Sequence, residues 1–402
     1  MRFADIDLAD PDRFVEGTPH HWFRRLREQA PVYFHEEQDG PGFWCVTRYE
    51  DLRHVSRSPG LFSSAAGGTT LQDVPEEEMP MLRAIMLNMD PPQHVKFRRV
   101  VSRSFTPRRV AQLRTGIRRL ARRIVDEVAE KGECEFVTDV AAKLPLEVIC
   151  DMMGVPEADR AGIFELSNRL IGFDDPEYQT SEQDAKIASA EMFTYAFHRA
   201  SKVLEAPGDD IVSQLLTAEV EGERLTETEF ASLFLLLAIA GNETTRTVTT
   251  WGMHALIEHP DQRERLLRDP SLLPGAIEEI LRFAPPVHYM RRTTTAETEL
   301  GGERIPAGAK LALWYPSANR DEAVFDDPDR FDVTRDPNPH LSFGIGEHFC
   351  LGAHLARLQL QEIFAALLSR IPEMELVAPP RRLRSNFVNG CKSMPVRFTA
   401  VD

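Results

Sequence analysis

The amino-acid sequence predicts a mainly α-helical protein with a minor β region. Helical periods of apolar residues dominate from about residue 93 to about residue 259. Within that region, one largely apolar stretch is long enough for a helix of roughly 50 Å, at about 1.5 Å per residue. After Pro285-Pro286, alternating residues with Gly-Gly and Ala-Gly turns are typical of short strands. No linker rich in Gly or Ser interrupts the pattern, so we expect residues 1–402 to form one domain.

The N-terminal part contains one predicted helix and one predicted hairpin. Residues 19–31, PHHWFRRLREQAP, are amphipathic at a helical period and end at Pro31. Two strands, VYFHEE and GFWCVTR, follow around the turn sequence QDGP. Residues 58–92 carry several prolines and no regular period. A long irregular segment of this kind is typical of a lid or a binding loop.

The longest predicted helix runs from Thr226 to about Glu258. Thr226 and Glu229 form a capping box at its start. The helix is apolar on all sides for three turns, so we expect it to lie buried in the middle of the protein. Glu243 and Thr244 interrupt this apolar surface, where a carboxylate is costly unless it has a partner or a task. From the residues alone, two interpretations of Glu243 and Thr244 stay open. They are either a catalytic pair or polar residues that are hydrogen-bonded locally at a bend of the helix.

Charge, cysteine content and hydropathy exclude several classes of protein. The net charge of −16 argues against nucleic acid as the main partner, because phosphate binding needs a basic surface. Five widely spaced cysteines without a CxxC pair do not form a disulfide framework and indicate a reducing compartment. The N-terminus lacks a signal-peptide pattern, and the longest apolar run, residues 230–241, is shorter than the about 20 residues of a membrane span. We therefore expect a cytoplasmic protein that does not enter a membrane.

An isolated cysteine, Cys350, lies in the glycine-rich stretch HLSFGIGEHFCLGAHLAR, residues 340–357. A helix predicted to begin at Leu351 directs its positive end at the sulfur, and together with His348 this favours a thiolate. Apolar neighbours and close backbone suit a soft metal or a planar cofactor. From Cys350 alone, a structural cysteine is the favoured interpretation, because a buried free cysteine usually acts as a small hydrophobe. Zinc is a third option, although only His348 and His340 lie near in sequence.

The pattern F-G-x-G-x-H-x-C-x-G, here FGIGEHFCLG, resembles the haem-ligand loop of the cytochrome P-450 superfamily, the haem-thiolate monooxygenases. The resemblance implies a triangular prism of helices with the long central helix over haem b. It implies that Cys350 is the axial thiolate on the iron. Three further residues of the motif would belong to the cofactor-binding loop: Phe343, Gly344 and Gly352.

Three other regions match the same family. Glu243 and Thr244 correspond to its acid–Thr pair, in which the threonine steadies O2 and the acid relays protons. The residues that would bind the haem propionates are His94, Arg98, Arg292 and His348, with Arg292 assigned in preference to Arg291. The family's E-x-x-R motif matches Glu279 and Arg282, and the resemblance adds Arg330 from DPDRF to form a structural network.

The resemblance extends over nearly the whole chain and is greatest to bacterial members that act on steroids, methyl-branched lipids and terpenoids. The stretches that suggest this subfamily are MLNMDPPQH, AGNETTR and NFVNGCKSMPV. We expect apolar or soft residues to line the substrate pocket. They are Leu87, Ala240, Val287, Met290, Phe387 and Val388. The expected reaction is hydroxylation of a bulky hydrophobic molecule with O2.

Electrons have to come from another protein, because the sequence has no flavin or NAD fingerprint and no cysteine cluster for an iron–sulfur centre. A ferredoxin and its reductase are implied, and the arginine-rich run 98–123 is a candidate dock for an acidic ferredoxin. We expect a monomer. Three alternatives are a P-450 that acts on a polyketide or other natural product, a peroxide-driven peroxygenase and a non-enzymatic haem gas sensor. The Glu243-Thr244 pair argues against the peroxygenase, which would not need it.

Overall fold

The long central helix organises the fold of this protein. In the computed structural model it spans Glu227–Glu258, and Thr226 caps it as the sequence predicts. The Thr226 hydroxyl accepts a hydrogen bond from the Glu229 amide at 3.2 Å, and the Glu229 carboxylate accepts one from the Thr226 amide at 2.8 Å. Most of its side chains are buried. The predicted placement in the middle of the protein is therefore confirmed.

The structure describes residues 3–38, 40–178, 181–205, 208, 211–217, 219–220 and 223–401. In chain order, the α-helices of these segments are α1 His20–Gln29, α2 Tyr49–Arg57, α3 Met79–Arg83, α4 Gln93–Ser102, α5 Pro107–Ala129, α6 Lys143–Met152, α7 Arg160–Ile171, α8 Glu182–Glu205, α9 Ile211–Thr217, α10 Glu227–Glu258, α11 Pro260–Arg268, α12 Leu273–Phe283, α13 Tyr315–Ala318 and α14 Ala353–Arg370. The strands are β1 Val32–His35, β2 Phe43–Val46, β3 Phe62–Ser63, β4 Glu133–Glu135, β5 Glu219–Val220, β6 Glu223–Arg224, β7 Tyr289–Thr294, β8 Thr298–Leu300, β9 Glu303–Ile305, β10 Lys310–Trp314, β11 Glu373–Leu376, β12 Arg381–Arg382, β13 Cys391–Ser393 and β14 Pro395–Thr399.

Helix α10 packs against α6, α7, α8, α12 and α14, and the largest hydrophobic core surrounds it. The prediction of a mainly helical fold with a minor β region is confirmed. Within the segments described above, no helix combines the length and the apolar character that crossing a membrane requires.

The minor β region is a five-stranded sheet in the order β1-β2-β10-β7-β3. The predicted hairpin is present, with Val32 opposite Val46 in the antiparallel pair β1/β2. Strand β10 pairs in parallel with β2 and antiparallel with β7, so the hairpin forms one sheet with these two strands, whereas β8 and β9 pair only with each other. The irregular segment 58–92 contributes β3 to its edge and otherwise contains short helical turns.

A buried charge network fixes α12 to the segment that follows the sheet. Arg282 donates to Glu279 through Nε at 2.7 Å and Nη2 at 2.8 Å, and both side chains are fully buried. The third member of the network is Arg335, whose Nε lies 3.2 Å from Glu279 Oε2. The assignment of Arg330 to this network is wrong, because its side chain is 53% exposed. Arg330 contributes only its backbone carbonyl, which accepts from Arg282 at 3.0 Å and from Arg335 at 3.1 Å.

Replacing the two arginines separates these roles. We expect Arg335→Ala to lower the free energy of unfolding by about 1.5–3 kcal/mol, because it removes hydrogen bonds that involve a buried charge. Arg330→Ala keeps the backbone carbonyl and is the matched control, with an expected change within about 0.5 kcal/mol. Urea denaturation of both variants measures the difference. Equal losses, or a larger loss for Arg330→Ala, would contradict this assignment.

Candidate active site

The loop that carries Cys350 is held by its own backbone and by α2. The Cys350 amide donates to the Phe343 carbonyl at 2.8 Å, and the Gly344 amide donates to Leu341 at 2.8 Å. Gly344 and Gly346 have φ of 68° and 78°, a region that favours glycine. A Cβ at Gly346 would lie 2.5 Å from the Ser56 carbonyl oxygen of α2. Gly346 therefore allows the loop to lie directly on α2.

Helix α14 begins at Ala353, two residues after the predicted start. Residues 350–353 first form a turn, in which the Ala353 amide donates to the Cys350 carbonyl at 3.4 Å. Burial raises the pKa of the Cys350 thiol, whereas the Gly352 amide and the charges of Arg98 and Arg357 act in the opposite direction. His348 does not add a charge, because burial and the charge of Arg292 hold its pKa far below the usual range. The helix end therefore acts on the thiol pKa in the predicted direction, whereas the predicted contribution of His348 is absent. A bound metal ion deprotonates a coordinating thiol.

The four predicted propionate-binding residues lie together beside this loop. The rings of His94 and His348 are 4.1 Å apart between centroids, and Arg98 donates to the Phe349 carbonyl at 2.5 Å. Burial and the charge of Arg98 lower the pKa of His94 to about 4, with a smaller contribution from Arg292. Among the described residues, the hydrogen bonds of Arg98 and Arg292 go to backbone carbonyls and not to a carboxylate, and His94 Nδ1 is buried without a partner. Two guanidinium groups and an unsatisfied imidazole suit an anionic group.

The alternation of β7 explains why Arg292 and its neighbour have different partners. Successive side chains of a strand point to opposite faces. Arg292 is buried on the side of the cysteine loop, and its Nη1 donates to the Arg291 carbonyl at 2.7 Å. Arg291 instead donates to Asp73 at 2.9 Å, and Lys310 donates to the other oxygen of Asp73 at 2.9 Å. Arg291 therefore anchors the irregular segment 58–92 to β7.

Glu243 and Thr244 lie on different faces of α10. The Thr244 hydroxyl donates to the Ala240 carbonyl at 2.8 Å, and Ala240 is exposed although the helix around it is buried. Glu243 is only 2% exposed and forms a short ion pair with Arg246. Thr247 donates to the other carboxylate oxygen at 3.3 Å. The structure therefore does not bring the Glu243 carboxylate and the Thr244 hydroxyl together.

The predicted pocket residues fall into two groups. Val287 and Val388 form an antiparallel bridge, and the Phe387 ring packs against Tyr289 at 5.3 Å. The segments 285–290 and 386–390 thus form one wall. Met290 belongs to this wall, whereas Leu87 and Ala240 lie in two other elements that contact each other. Leu87 lies in a 3-10 turn, Met86–Asn88, and Met290 lies in β7.

The sequence analysis missed two sets of residues that support the site, namely the partners of Glu278 and the partner of Glu243. Glu278 of α12 accepts hydrogen bonds from Arg357 at 2.7 Å and from His340 at 3.1 Å. The Arg357 guanidinium lies 4.4 Å from the Phe343 ring centroid, so this pair supports the cysteine loop. No sequence spacing links these residues. In contrast, Arg246 follows Glu243 at i+3, a helical pair that the sequence would have allowed us to find.

The zinc alternative does not agree with the structure. His340 is bonded to Glu278, and His348 packs on His94. In the part of the chain that the structure describes, no group of three or more His, Cys, Asp or Glu residues could hold a metal ion. A single cysteine beside a cation cluster is the arrangement that remains.

Comparison with known proteins gives consistent results. The family model Cytochrome P450 matches residues 157–380. A steroid C26-monooxygenase of Rhodococcus jostii is 41% identical over 98% of this chain and 84% of that protein. A methyl-branched lipid omega-hydroxylase of Mycobacterium tuberculosis is 42% identical over 98% of this chain and 95% of that protein. The solved structure of Mycobacterium marinum cytochrome P450 CYP268A2 in complex with pseudoionone has a TM-score of 0.91 and 39% identity, and 98% of both chains is covered.

The support that Glu278 gives to the cysteine loop depends on pH. Burial raises its pKa, but hydrogen bonds from Arg357 and His340 outweigh burial and bring the pKa from 4.5 to about 2. The stabilisation is therefore complete above about pH 5 and is lost as the pH falls towards 2. We expect Glu278→Gln to lower the free energy of unfolding by about 1–2 kcal/mol at pH 7, allowing for partial solvent screening, and by less at pH 3.5.

Denaturant unfolding at both pH values measures this dependence. Glu264→Gln is the matched control, because Glu264 forms an exposed ion pair with Arg268 on α11. Its effect should be small at both pH values. A Glu278→Gln deficit that stays constant between pH 7 and pH 3.5 would contradict the role of the ionised carboxylate.

Proposed function

The chain belongs to the cytochrome P450 family, the haem-thiolate monooxygenases, and we propose that it hydroxylates an unactivated C–H bond of a bulky hydrophobic substrate. Members of this family use haem b with an axial cysteine thiolate. The single observation that supports the assignment best is the position of Cys350 beside the cluster of His94, Arg98, Arg292 and His348. We propose that residues 1–402 form one domain of this family.

The residues present fit the cofactor. Cys350 would hold the iron, and the two arginines and two histidines of the cluster would bind the propionates. Phe343, Gly344 and Gly352 would shape the turn around the sulfur. A Cβ at Gly352 would meet no described atom within 4 Å, so this side of the turn is open. When bound, haem with its thiolate activates O2 for insertion of one oxygen atom into a C–H bond.

The chain's own residues on α10 would control water and protons. The Thr244 hydroxyl donates to Ala240, so its oxygen is free to accept a hydrogen bond from a proton-bearing group. Glu243 lies one residue away and carries the nearby buried carboxylate. We propose that Thr244 orients O2 and that Glu243 supplies protons, although the two side chains do not touch.

The substrate is proposed to be a steroid, a terpenoid or a methyl-branched lipid. Leu87, Ala240, Val287, Met290 and Phe387 are partly or largely exposed apolar residues, so burial of an apolar molecule would drive binding. Two of the relatives are named for the position that they oxidise, which is C26 of a steroid in one and the omega position of a methyl-branched lipid in the other. We therefore expect attack at a terminal methyl group.

Electrons are proposed to come from a ferredoxin and its reductase. Within the run 98–123, Arg114 and Arg118 bind Glu362 at 2.8 Å and are not available for a partner. The exposed arginines that remain for an acidic surface are Arg99, Arg103, Arg108, Arg109, Arg119, Arg122 and Arg123. Their positive charge contrasts with the net charge of −16 of the chain. Action as a monomer in the cytoplasm stays a prediction.

The function is tested by a spectral screen of steroids, terpenoids and methyl-branched lipids, followed by turnover. We expect ligands of this class to shift the haem spin state and ferredoxin-driven turnover to give a product hydroxylated at a terminal methyl group, identified by NMR. Turnover with peroxide alone would indicate a peroxygenase, and no turnover with either source would indicate a gas sensor. Spin-state shifts only with polyketides would overturn the substrate class.

The cation cluster gives a prediction with a neighbouring control. We expect Arg292→Leu to lower the haem content of the purified protein several-fold, because a buried charged donor to a propionate is lost. Arg291→Leu should keep its haem, because Arg291 binds Asp73 on the other face of β7. Haem content is measured by absorbance per mole of protein. Equal haem loss in both variants would contradict the assignment of Arg292.

A further inference from the structure

Thr69 joins the irregular segment 58–92 to strand β7 and to a helical turn at the same time. Its carbonyl accepts a hydrogen bond from the Arg291 amide of β7 at 2.8 Å. Its hydroxyl donates to the Asn88 side-chain oxygen at 2.9 Å. Both Thr69 and Asn88 are buried, so water does not compete for the hydrogen bond between them. One threonine therefore links β7 to the turn that carries Asn88.

The turn that carries Asn88 exposes part of one apolar side chain. It is the 3-10 turn Met86–Asn88, and the Asn88 side-chain nitrogen fixes it by donating to the Leu82 carbonyl at 3.2 Å. The side chains of Met86 and Asn88 are buried, whereas Leu87 between them is partly exposed. The position of the turn therefore decides where Leu87 stands.

Thr69 lies between two sides of the predicted substrate pocket. On one side, the turn Met86–Asn88 contacts helix α10, which carries Ala240. On the other side, Met290 precedes Arg291 in β7 and belongs to the wall described above. The backbone of Thr69 is bonded to the second side and its hydroxyl to the first. A change in the hydroxyl's hydrogen bond therefore changes how the two sides are held relative to each other.

A buried hydrogen bond is well suited to fix a distance of this kind. It is directional, and it weakens steeply when its length or angle changes. A buried donor or acceptor that loses its partner is costly, so neither Thr69 nor Asn88 moves away without finding another partner. Apolar contacts are not directional and allow side chains to slide. The Thr69–Asn88 hydrogen bond therefore defines the position of the turn more sharply than its apolar contacts do.

We propose that the Thr69–Asn88 hydrogen bond sets the width of the substrate pocket between Leu87 and Met290, and that this width admits a slender chain end and excludes a fused ring. The inference rests on the proposed function, because it takes Leu87 and Met290 as residues of the substrate pocket. Thr69 and Asn88 are positioning residues, because they act through Leu87. A steroid or a branched lipid then enters with its chain end foremost, which presents a terminal methyl group for oxidation.

Azoles measure the width of the pocket without a substrate, because an imidazole nitrogen binds iron directly. The probes are imidazole, phenylimidazole and tritylimidazole, and their affinities for the haem-loaded protein are measured by absorbance titration. In Thr69→Val we expect tritylimidazole to bind several-fold more tightly than in the wild type, because the turn is no longer held, and imidazole to bind equally. Thr69→Ser keeps a hydroxyl and should retain the wild-type affinities.

Thr47→Val is the matched control, because it removes another buried threonine hydroxyl away from the pocket. The Thr47 hydroxyl donates to the Pro31 carbonyl at 2.8 Å, beside the hairpin β1/β2. We expect this variant to bind all three azoles as the wild type does. Equal changes in Thr47→Val and Thr69→Val would overturn the proposal, because they would indicate a general loosening of the fold. Unchanged binding of tritylimidazole in Thr69→Val would overturn it as well.

The products of turnover test the same width on a substrate that the wild type hydroxylates at a terminal methyl group. Thr69→Val should move several-fold more of the product to carbons further from the chain end, and Thr69→Ser should not. In an Asn88→Ala background, Thr69→Val should cause no further shift, because the hydrogen bond is already lost. Additive shifts would overturn the proposal. If the wild type hydroxylates no steroid, terpenoid or branched lipid, the proposed function fails, and the azole affinities still decide the role of the pair.

Discussion

The buried pair of Glu279 and Arg282 is the interaction on which the cysteine site depends. Two fully buried charges require all of their hydrogen bonds, because an unpaired buried charge is strongly destabilising. Arg282 uses the carbonyls of Asn319 and Pro328, and Glu279 uses the Asp332 amide at 2.9 Å. The chain between the sheet and the cysteine loop therefore has to wrap around α12.

The chain that wraps around α12 leads directly into the cysteine loop. Asn319 accepts from the Leu341 amide at 2.8 Å, and the Ser342 hydroxyl donates to the Leu281 carbonyl at 2.6 Å. Two residues later the loop enters its glycine turns and settles on α2. The position of the Cys350 sulfur is thus set from α12 on one side and from α2 on the other, and Arg357 of α14 braces the loop through Glu278 and Phe343.

Much of this architecture could be predicted from the sequence, for identifiable reasons. The capping box at Thr226, the apolar surface of α10 and the Gly301-Gly302 turn between β8 and β9 are local signals, and each was confirmed. Arg330 was misplaced because motif spacing does not show whether a loop residue points its side chain or its backbone inward. The partnership of Glu278 with Arg357 and His340 joins segments that are far apart in sequence, so no local pattern contains it. The residue roles at the haem site stay predictions.

The salt bridges of Asp73 have a consequence for the mobility of the pocket. This carboxylate is half exposed, yet it is shared by two buried cations, Arg291 and Lys310. Burial acts against ionisation, but hydrogen bonds from Lys310 and Arg291 keep the pKa of Asp73 below its usual value. Lys310 has a second partner in Glu37, whereas Arg291 has no other described ion pair. Local opening of residues 69–73 would leave Arg291 buried without a counter-charge, so the ionised Asp73 holds this segment closed, and protonation of Asp73 in acid removes that restraint.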